Sequence, residues 1–389
     1  MDPATGPSGR NSAASQAVRS GSVDCRADDA VEQLAQALQA DGLALVVLFL
    51  SPGTDVSRLI GEAQRRFAPA QVVGCTTAGE ISAAGYVEGE IVAVGFAQSH
   101  FQTRTILIDD LGSFNPHEVI ERMIRNRSHM AQEAAKWTSE FTFLLVDGLS
   151  TKEDALTSQL AVGLGPVAFF GGSAGDGTDF GKTYVLHGGR AHSNAAILIQ
   201  VRSRCPIKVF KTDHLIPSQK RMVVTGADPA RRVVHEINAE PAAREYARVL
   251  GKDPEQLTAF TFAAHPVAVQ FGDQHHVRAI QRVADNDELV FFSAIDEGVV
   301  LTLAEPEDMV VHLKREMAAL SASSRPEIIL ACDCILRRLE AQQKQVSQEI
   351  SCILRDNRVV GFSTYGEQIN SMHVNQTLTG VAIYPPDEG

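Results

Sequence analysis

Two stretches of this chain arrange hydroxyl groups and a carboxylate around glycines in the same order. One runs Val72-Val73-Gly74-Cys75-Thr76-Thr77-Ala78-Gly79-Glu80-Ile81, the other Val359-Val360-Gly361-Phe362-Ser363-Thr364-Tyr365-Gly366-Glu367-Gln368-Ile369. In each, the apolar β-branched run suits a strand, and the glycines permit a tight turn with positive φ at its end. Hydroxyls, a carboxylate and backbone amides at such a turn can hold the ammonium and carboxylate ends of a small polar ligand. Thr76, Thr77 and Glu80, with Ser363, Thr364 and Glu367, are therefore candidate ligand-binding residues. Glu80 and Glu367 also suit a local task, that of tying down their own turns. A looser copy, Phe169-Phe170-Gly171-Gly172-Ser173-Ala174-Gly175-Asp176, lies between them and reads as one residue shorter in its turn.

Thiol chemistry has weaker support. Cys75 stands at the first turn, but a nucleophile needs a base in reach, and no histidine partner is identifiable. Cys332-Asp333-Cys334 with Cys352 is not a zinc-ligand spacing, and Ile335, Ile353 and Leu354 point to a core setting. Neither a phosphate-loop lysine motif nor a complete dinucleotide fingerprint is present. The expectation is no catalytic residue and no enzyme.

The elements that carry these turns repeat as well. Apolar runs at 43–50, 141–146 and 328–331 precede them, each followed by a helical stretch and by the strand that enters the turn. Further strand-like runs follow at 90–96, 195–201 and 376–384. The chain reads as three copies of a strand–helix–strand–turn–strand unit, a period that decides the fold. Residues 43–50 are apolar throughout, as in a strand buried on both faces. Further on, strands are expected at 207–210, 222–225, 232–237, 260–271 and 289–293, helices at 241–250 and 306–320, and a loop over 213–217. The alternation gives an α/β class with α+β-like mixed sheets. Two domains are expected, 29–203 and 204–384, each built from the repeated unit. Residues 1–28, rich in Ser, Ala and Gly and lacking a signal peptide's apolar segment, read as a disordered tail.

The net charge of −12 carries no basic stripe for nucleic acid. No apolar run approaches the roughly 20 residues that span a bilayer, so no membrane partner is expected. The 44% hydrophobic content supports a sizeable core. Six cysteines do not make a disulfide scaffold, and the cytoplasm is the compartment implied. A homo-oligomer is compatible with all of this.

Several separated motifs carry a resemblance to one family. Residues 74–81 followed by Gly171-Gly172-Ser173-Ala174-Gly175-Asp176-Gly177 resemble the FIST N-terminal domain. Val234-His235-Glu236-Ile237-Asn238-Ala239-Glu240-Pro241-Ala242, residues 361–367, and Asn375-Gln376-Thr377-Leu378 resemble the FIST C-terminal domain. The resemblance runs from about residue 30 to residue 384 and implies a sensory input module for small ligands in bacterial signal transduction. With no fused kinase, cyclase or methyl-accepting segment, the chain resembles the stand-alone nitric-oxide-sensing NosP subset. That implies haem b, nitric oxide as its ligand and a partner histidine kinase as its target. Lacking C-x-x-C-H, any haem would be non-covalent. The alternative is a sensor of an amino acid or similar small polar ligand, without haem.

A haem sensor needs an apolar slot, one neutral imidazole, and an acceptor for the other ring nitrogen. His214 and His235 are the candidate metal ligands, in that order. His214 lies in Asp213-His214-Leu215-Ile216-Pro217, which departs from the Gly-Trp segment common in the family. His235 shares a strand face with Val233 and Ile237, a setting that also suits a structural histidine. His275 and His276 read as solvated in a polar loop and His117 and His129 as surface residues, leaving His373 and His265 in reserve.

Overall fold

The computed structural model describes residues 16–271 and 274–386. The first unit comprises β1 (Val18–Asp24), α1 (Ala30–Leu38), β2 (Leu43–Leu50), α2 (Val56–Arg66), β3 (Gln71–Thr76), the hairpin β4 (Glu80–Ser82) and β5 (Gly85–Val87), and β6 (Glu90–Ala97). The second repeats it as β7 (Phe101–Ile108), α3 (Pro116–Glu133), β8 (Ser139–Val146), α4 (Glu153–Leu164), β9 (Ala168–Ser173), the hairpin β10 (Val185–His187) and β11 (Arg190–His192), and β12 (Ala196–Ser203). The third opens with β13 (Ile207–Thr212) and is then interrupted. The insertion contains β14 (Leu215–Asp228), β15 (Val233–Ile237), β16 (Glu240–Pro241), α5 (Ala242–Leu250), α6 (Ala259–Ala264), β17 (Val267–Phe271), β18 (Gln274–Arg278), β19 (Ile280–Ala284), β20 (Glu288–Phe291) and β21 (Val300–Pro306). The third unit resumes with α7 (Met309–Leu320), β22 (Ile328–Cys334), α8 (Ile335–Gln343), α9 (Ser347–Asp356), β23 (Val359–Thr364), the hairpin β24 (Glu367–Ile369) and β25 (Met372–Val374), and β26 (Leu378–Ile383).

Three six-stranded sheets result, ordered β1-β6-β2-β3-β10-β11, β7-β12-β8-β9-β24-β25 and β13-β26-β22-β23-β4-β5. The plan is the same each time, with a central strand parallel to the one that follows its helix. The hairpins are exchanged in a cycle. The first unit's hairpin completes the third sheet, the second's completes the first, and the third's completes the second. The insertion forms its own eight-stranded sheet. The class is thus the expected mixed one, and the expected break at 203/204 falls between β12 and β13.

Period-two alternation explains the continuous apolar runs. Leu45, Val47 and Phe49 of β2 face a core shared with Phe143, Phe170, Cys332 and Phe362 of the other sheets. Val46, Leu48 and Leu50 face the opposite way, onto Leu34, Leu38 and Ile60 of their own helices. The stacked pair Phe49–Phe362, with centroids 4.7 Å apart, ties the first sheet to the third.

Four expectations change. The first glycine of each copy does not make a turn, whereas Gly79, the second in its copy, does so with φ +123° between β3 and β4. Gly74, Gly171 and Gly361 lie within strands, where a Cβ would stand 2.1, 2.5 and 1.8 Å from the carbonyl oxygens of Leu48, Leu144 and Ala331. Part of the expected tail is β1, which pairs along β6 and closes an open edge. The middle turn is longer, not shorter, with residues 174–184 between β9 and β10 against 77–79 between β3 and β4. The aromatic run from Phe260 begins as the short helix α6, because Thr258 and Thr261 form a capping box.

Candidate functional site

The three turns meet and bond in a ring. The Ala78 amide donates to the Ser363 carbonyl at 2.9 Å, the Gly175 amide to Thr76 at 3.0 Å, and the Tyr365 amide to Ser173 at 3.4 Å. The candidates Thr76, Thr77, Glu80, Ser363, Thr364 and Glu367 are all buried beneath this ring. Thr76 accepts from the Tyr184 amide at 3.0 Å.

Each glutamate clamps its own turn. The Thr77 hydroxyl lies 3.2 Å from the Leu50 carbonyl and also bonds the Glu80 carboxyl. The Thr364 hydroxyl lies 2.7 Å from the Gly366 carbonyl and 3.0 Å from Glu367. A hydroxyl has one proton to donate, so the second contact is satisfied when the carboxyl is protonated and donates instead. Burial favours that form. It raises the pKa of Glu80 to about 7 and that of Glu367 to about 8, against opposing hydrogen bonds from Thr77 and Thr377 respectively. Glu367 is further held by the Thr377 amide at 3.1 Å and hydroxyl at 2.7 Å.

What lies outside the turns differs. The inserted unit covers the third one, where Ala263, Ala279 and Phe292 pack with Tyr365 and Leu336. Asn375 accepts from the Ala279 amide at 3.3 Å and the Ser293 hydroxyl at 3.0 Å, and Gln376 donates to the Ala263 carbonyl at 2.8 Å. At the middle turn Phe180 packs on the Tyr365 ring with centroids 4.7 Å apart, and the Tyr365 hydroxyl bonds Asp176.

Beside the first turn a cleft of 590 Å³ stays open. Its walls are Asp24, Cys25 and Arg26 at the end of β1, Ser51 to Gly53 after β2, and Ala78 and Gly79. Glu88 and Gly89, Gly177 and Thr178, and Ile335, Arg338, Leu339 and Gln342 of α8 complete it. This is the carboxyl end of a parallel strand pair, where α/β sheets hold ligands. Arg338 is its buried cation, donating to the Val87 carbonyl at 2.8 Å and the Glu80 carbonyl at 3.3 Å.

His214 lies in the short link between β13 and β14, as expected of a loop residue, and is buried there under α8. Its Nε2–H donates to Glu340 at 2.9 Å, and its Nδ1 accepts from Arg337 at 2.8 Å. Burial, aided by Arg337, holds its pKa below the usual imidazole value despite the pull of Glu340. Arg337 in turn donates to Asp333 at 2.7 Å, and Tyr86 donates to the same carboxylate. His235 is a cross-strand surface partner of Glu288, with Nδ1 2.7 Å from Oε1 and a side chain 37% exposed. These residues do not fit a haem. His214 has both ring nitrogens engaged amid charged groups, and His235 has no apolar slot. His276, expected in a solvated loop, is buried on β18.

Cys75 and Cys332 lie in the shared core, where burial pushes both thiols well up and away from the reactive thiolate. Among the described residues no cluster of three His, Cys, Asp or Glu is placed to hold a metal ion. Nor, among those residues, is any helix long and apolar enough to cross a membrane.

The sequence reading missed Arg338 and the segments around it. One signal was available. Arg337 and Arg338 are the third and fourth residues of α8, near the positive end of a helix, where cations are disfavoured. Two arginines there need partners, and both have them.

A FIST N domain matches residues 44–240 and a FIST C domain matches residues 242–370. No curated protein matches the chain. FIST domains are sensor domains and not catalytic families. With these matches spanning the three turns, most of the cleft wall and most of the inserted unit, the chain belongs to the FIST family, whose domains are associated with small-ligand sensing in signal transduction.

Proposed function

We propose that this protein is a sensor of a small polar ligand, without haem, and that the ligand occupies the cleft beside the first turn. The cleft itself carries this reading: 590 Å³ of space at a strand-end position, bordered by a buried arginine and by accessible glycine backbone. The buried glutamates serve as turn clamps, so the ligand meets Arg338 and the loop backbones instead.

Helix α8 supplies a route outward. Arg338 faces the cleft, while Arg337 and Glu340 hold His214. His214 lies between β13 and β14, at the root of the inserted unit, and its carbonyl accepts from the Glu307 amide at 2.7 Å where the insertion returns. A ligand that binds two positions of α8 unequally shifts the inserted unit between two states. The receiver is a separate output protein, for which the resemblance supplies a partner histidine kinase.

The test is a thermal-shift screen of amino acids, organic acids and other polar metabolites against wild type and Thr178→Trp. Thr178 is exposed on the cleft wall, so tryptophan fills the space without entering the core. A ligand at a hundred times its Kd stabilises by about 2.7 kcal/mol, and this shift should vanish in the variant. An equal shift in both proteins would place the ligand elsewhere. A Soret band that survives in His214→Ala and His235→Ala would do the same, and one lost in either would restore the haem and nitric oxide reading.

A further inference from the structure

We infer that the cleft recognises a carboxylate on its ligand through Arg338, and that Glu88 is a built-in competitor which the ligand displaces. The inference rests on the cleft being the ligand site proposed above.

The guanidinium is fixed before any ligand arrives. Its carbon lies 5.0 Å from the centroid of the Tyr86 ring. Nη1 and Nη2 are anchored on the Glu80 and Val87 carbonyls. Its plane rests on Gly79, where a Cβ would stand 2.3 Å from Nη1 and where φ is +123°, so a side chain there meets both a clash and strain. Nε makes no hydrogen bond among the described residues, and Nη2 also reaches Glu88 at 3.2 Å.

The neighbouring arginine gives the contrast. Arg337 and its partner Asp333 are each 1% exposed, a pair sealed on both sides. Arg338 is 7% exposed but its partner Glu88 is 73% exposed. An exposed carboxylate contributes little when paired across solvent, so it yields readily to another. An incoming carboxylate that reaches the preset fork gains charge-assisted bonds with geometric selectivity. Asp24 and Glu88 balance Arg26 and Arg338 along the lining. That balance favours one carboxylate over a polyanion such as a polyphosphate.

The full chain is titrated calorimetrically with 4-hydroxybutyrate, 4-aminobutyrate and phenylacetate, each beside its amide, and with inorganic phosphate. Wild type, Glu88→Gln, Arg338→Gln and Thr178→Trp are compared. Binding of at least one acid over its amide is expected. Glu88→Gln should tighten it about fivefold, and Arg338→Gln should weaken it at least about tenfold. Glu88→Gln alters only an exposed side chain, so it decides the matter even where Arg338→Gln does not fold. The inference is overturned by equal affinity for acid and amide, by no gain in Glu88→Gln, or by no binding of any acid to wild type or Glu88→Gln. Phosphate binding that outcompetes the acids also overturns it, in favour of an oxyanion site. A neutral ligand that binds wild type but not Thr178→Trp would leave the cleft as the sensor site and remove only the carboxylate.

Discussion

The first and third turns share a sequence pattern, a buried threonine–glutamate clamp and a place in the same backbone ring, yet only the first borders the open cleft. Beside the third, Tyr365 is roofed by Phe292, Ala263 and Ala279 of the inserted unit. At the equivalent place beside the first stands Ala78, which joins the edge of the same cluster but is too small to fill the space beside Arg338. The shared residues hold the turns, and what covers each turn decides whether a ligand has room. A motif that repeats within a chain therefore points first to a repeated structural task, and the ligand residues are sought where the copies differ.

The equivalence can be broken most directly at the buried glycines. Gly74→Ala and Gly361→Ala each force a Cβ into a carbonyl oxygen on the neighbouring strand. Both should lose about 4 kcal/mol or more in urea unfolding. Tolerance at one position alone would show that the copies are not equivalent.

Titration sharpens the comparison at the next level. Both glutamates have raised folded-state pKa values, so the folded protein retains protons that the unfolded chain releases. The stabilisation is complete below the unfolded glutamate pKa, about 4.5, and is lost as pH rises through about 7 for Glu80 and about 8 for Glu367. Stability should fall between pH 5 and pH 8 by on the order of 3 kcal/mol per site. Glu80→Gln and Glu367→Gln should each flatten that slope, and Glu367→Gln should do so to the higher pH. A flat wild-type profile would mean that the clamps are ionised.

The smallest effects test the covers. Tyr365→Phe removes the hydroxyl that bonds Asp176 and the Gly177 carbonyl and should lose about 1 to 2 kcal/mol. Thr178→Trp, on the open side, should stay within about 0.5 kcal/mol of wild type. A larger loss there would mean that the space beside the first turn is part of the packing.

Much of the fold was legible because it is written in local pattern. The continuous apolar run of β2 matches residues 43–50, and the three units follow from their common order. Strand β1 was hidden because its Arg-Ser-Gly-Ser centre has no apolar alternation, and what fixes it is the edge of β6. The loop reading of His214 held, but its burial was hidden for a similar reason. Its burial depends on Arg337 and Glu340, which lie 123 and 126 residues further on. Asp-His-Leu-Ile-Pro carries no sign of them. The clamp role of Glu80 and Glu367 was among the sequence readings. The cleft was not, since its walls come from separate parts of the chain.

The exchanged hairpins set a timetable for synthesis. Tyr86 on β5 meets Asp333 across 247 residues, so the first hairpin made waits for nearly the last sheet. Its edges stay unpaired through most of translation, and contacts this distant slow folding and expose intermediates to aggregation. The boundary between the two matched domains, at 240–242, separates β16 from α5 inside the insertion. A chain released there would hold β4 and β5 without β23, and β9 without β24. Neither matched half is then a free-standing folding unit, and a fragment ending near residue 240 should be recovered as aggregate.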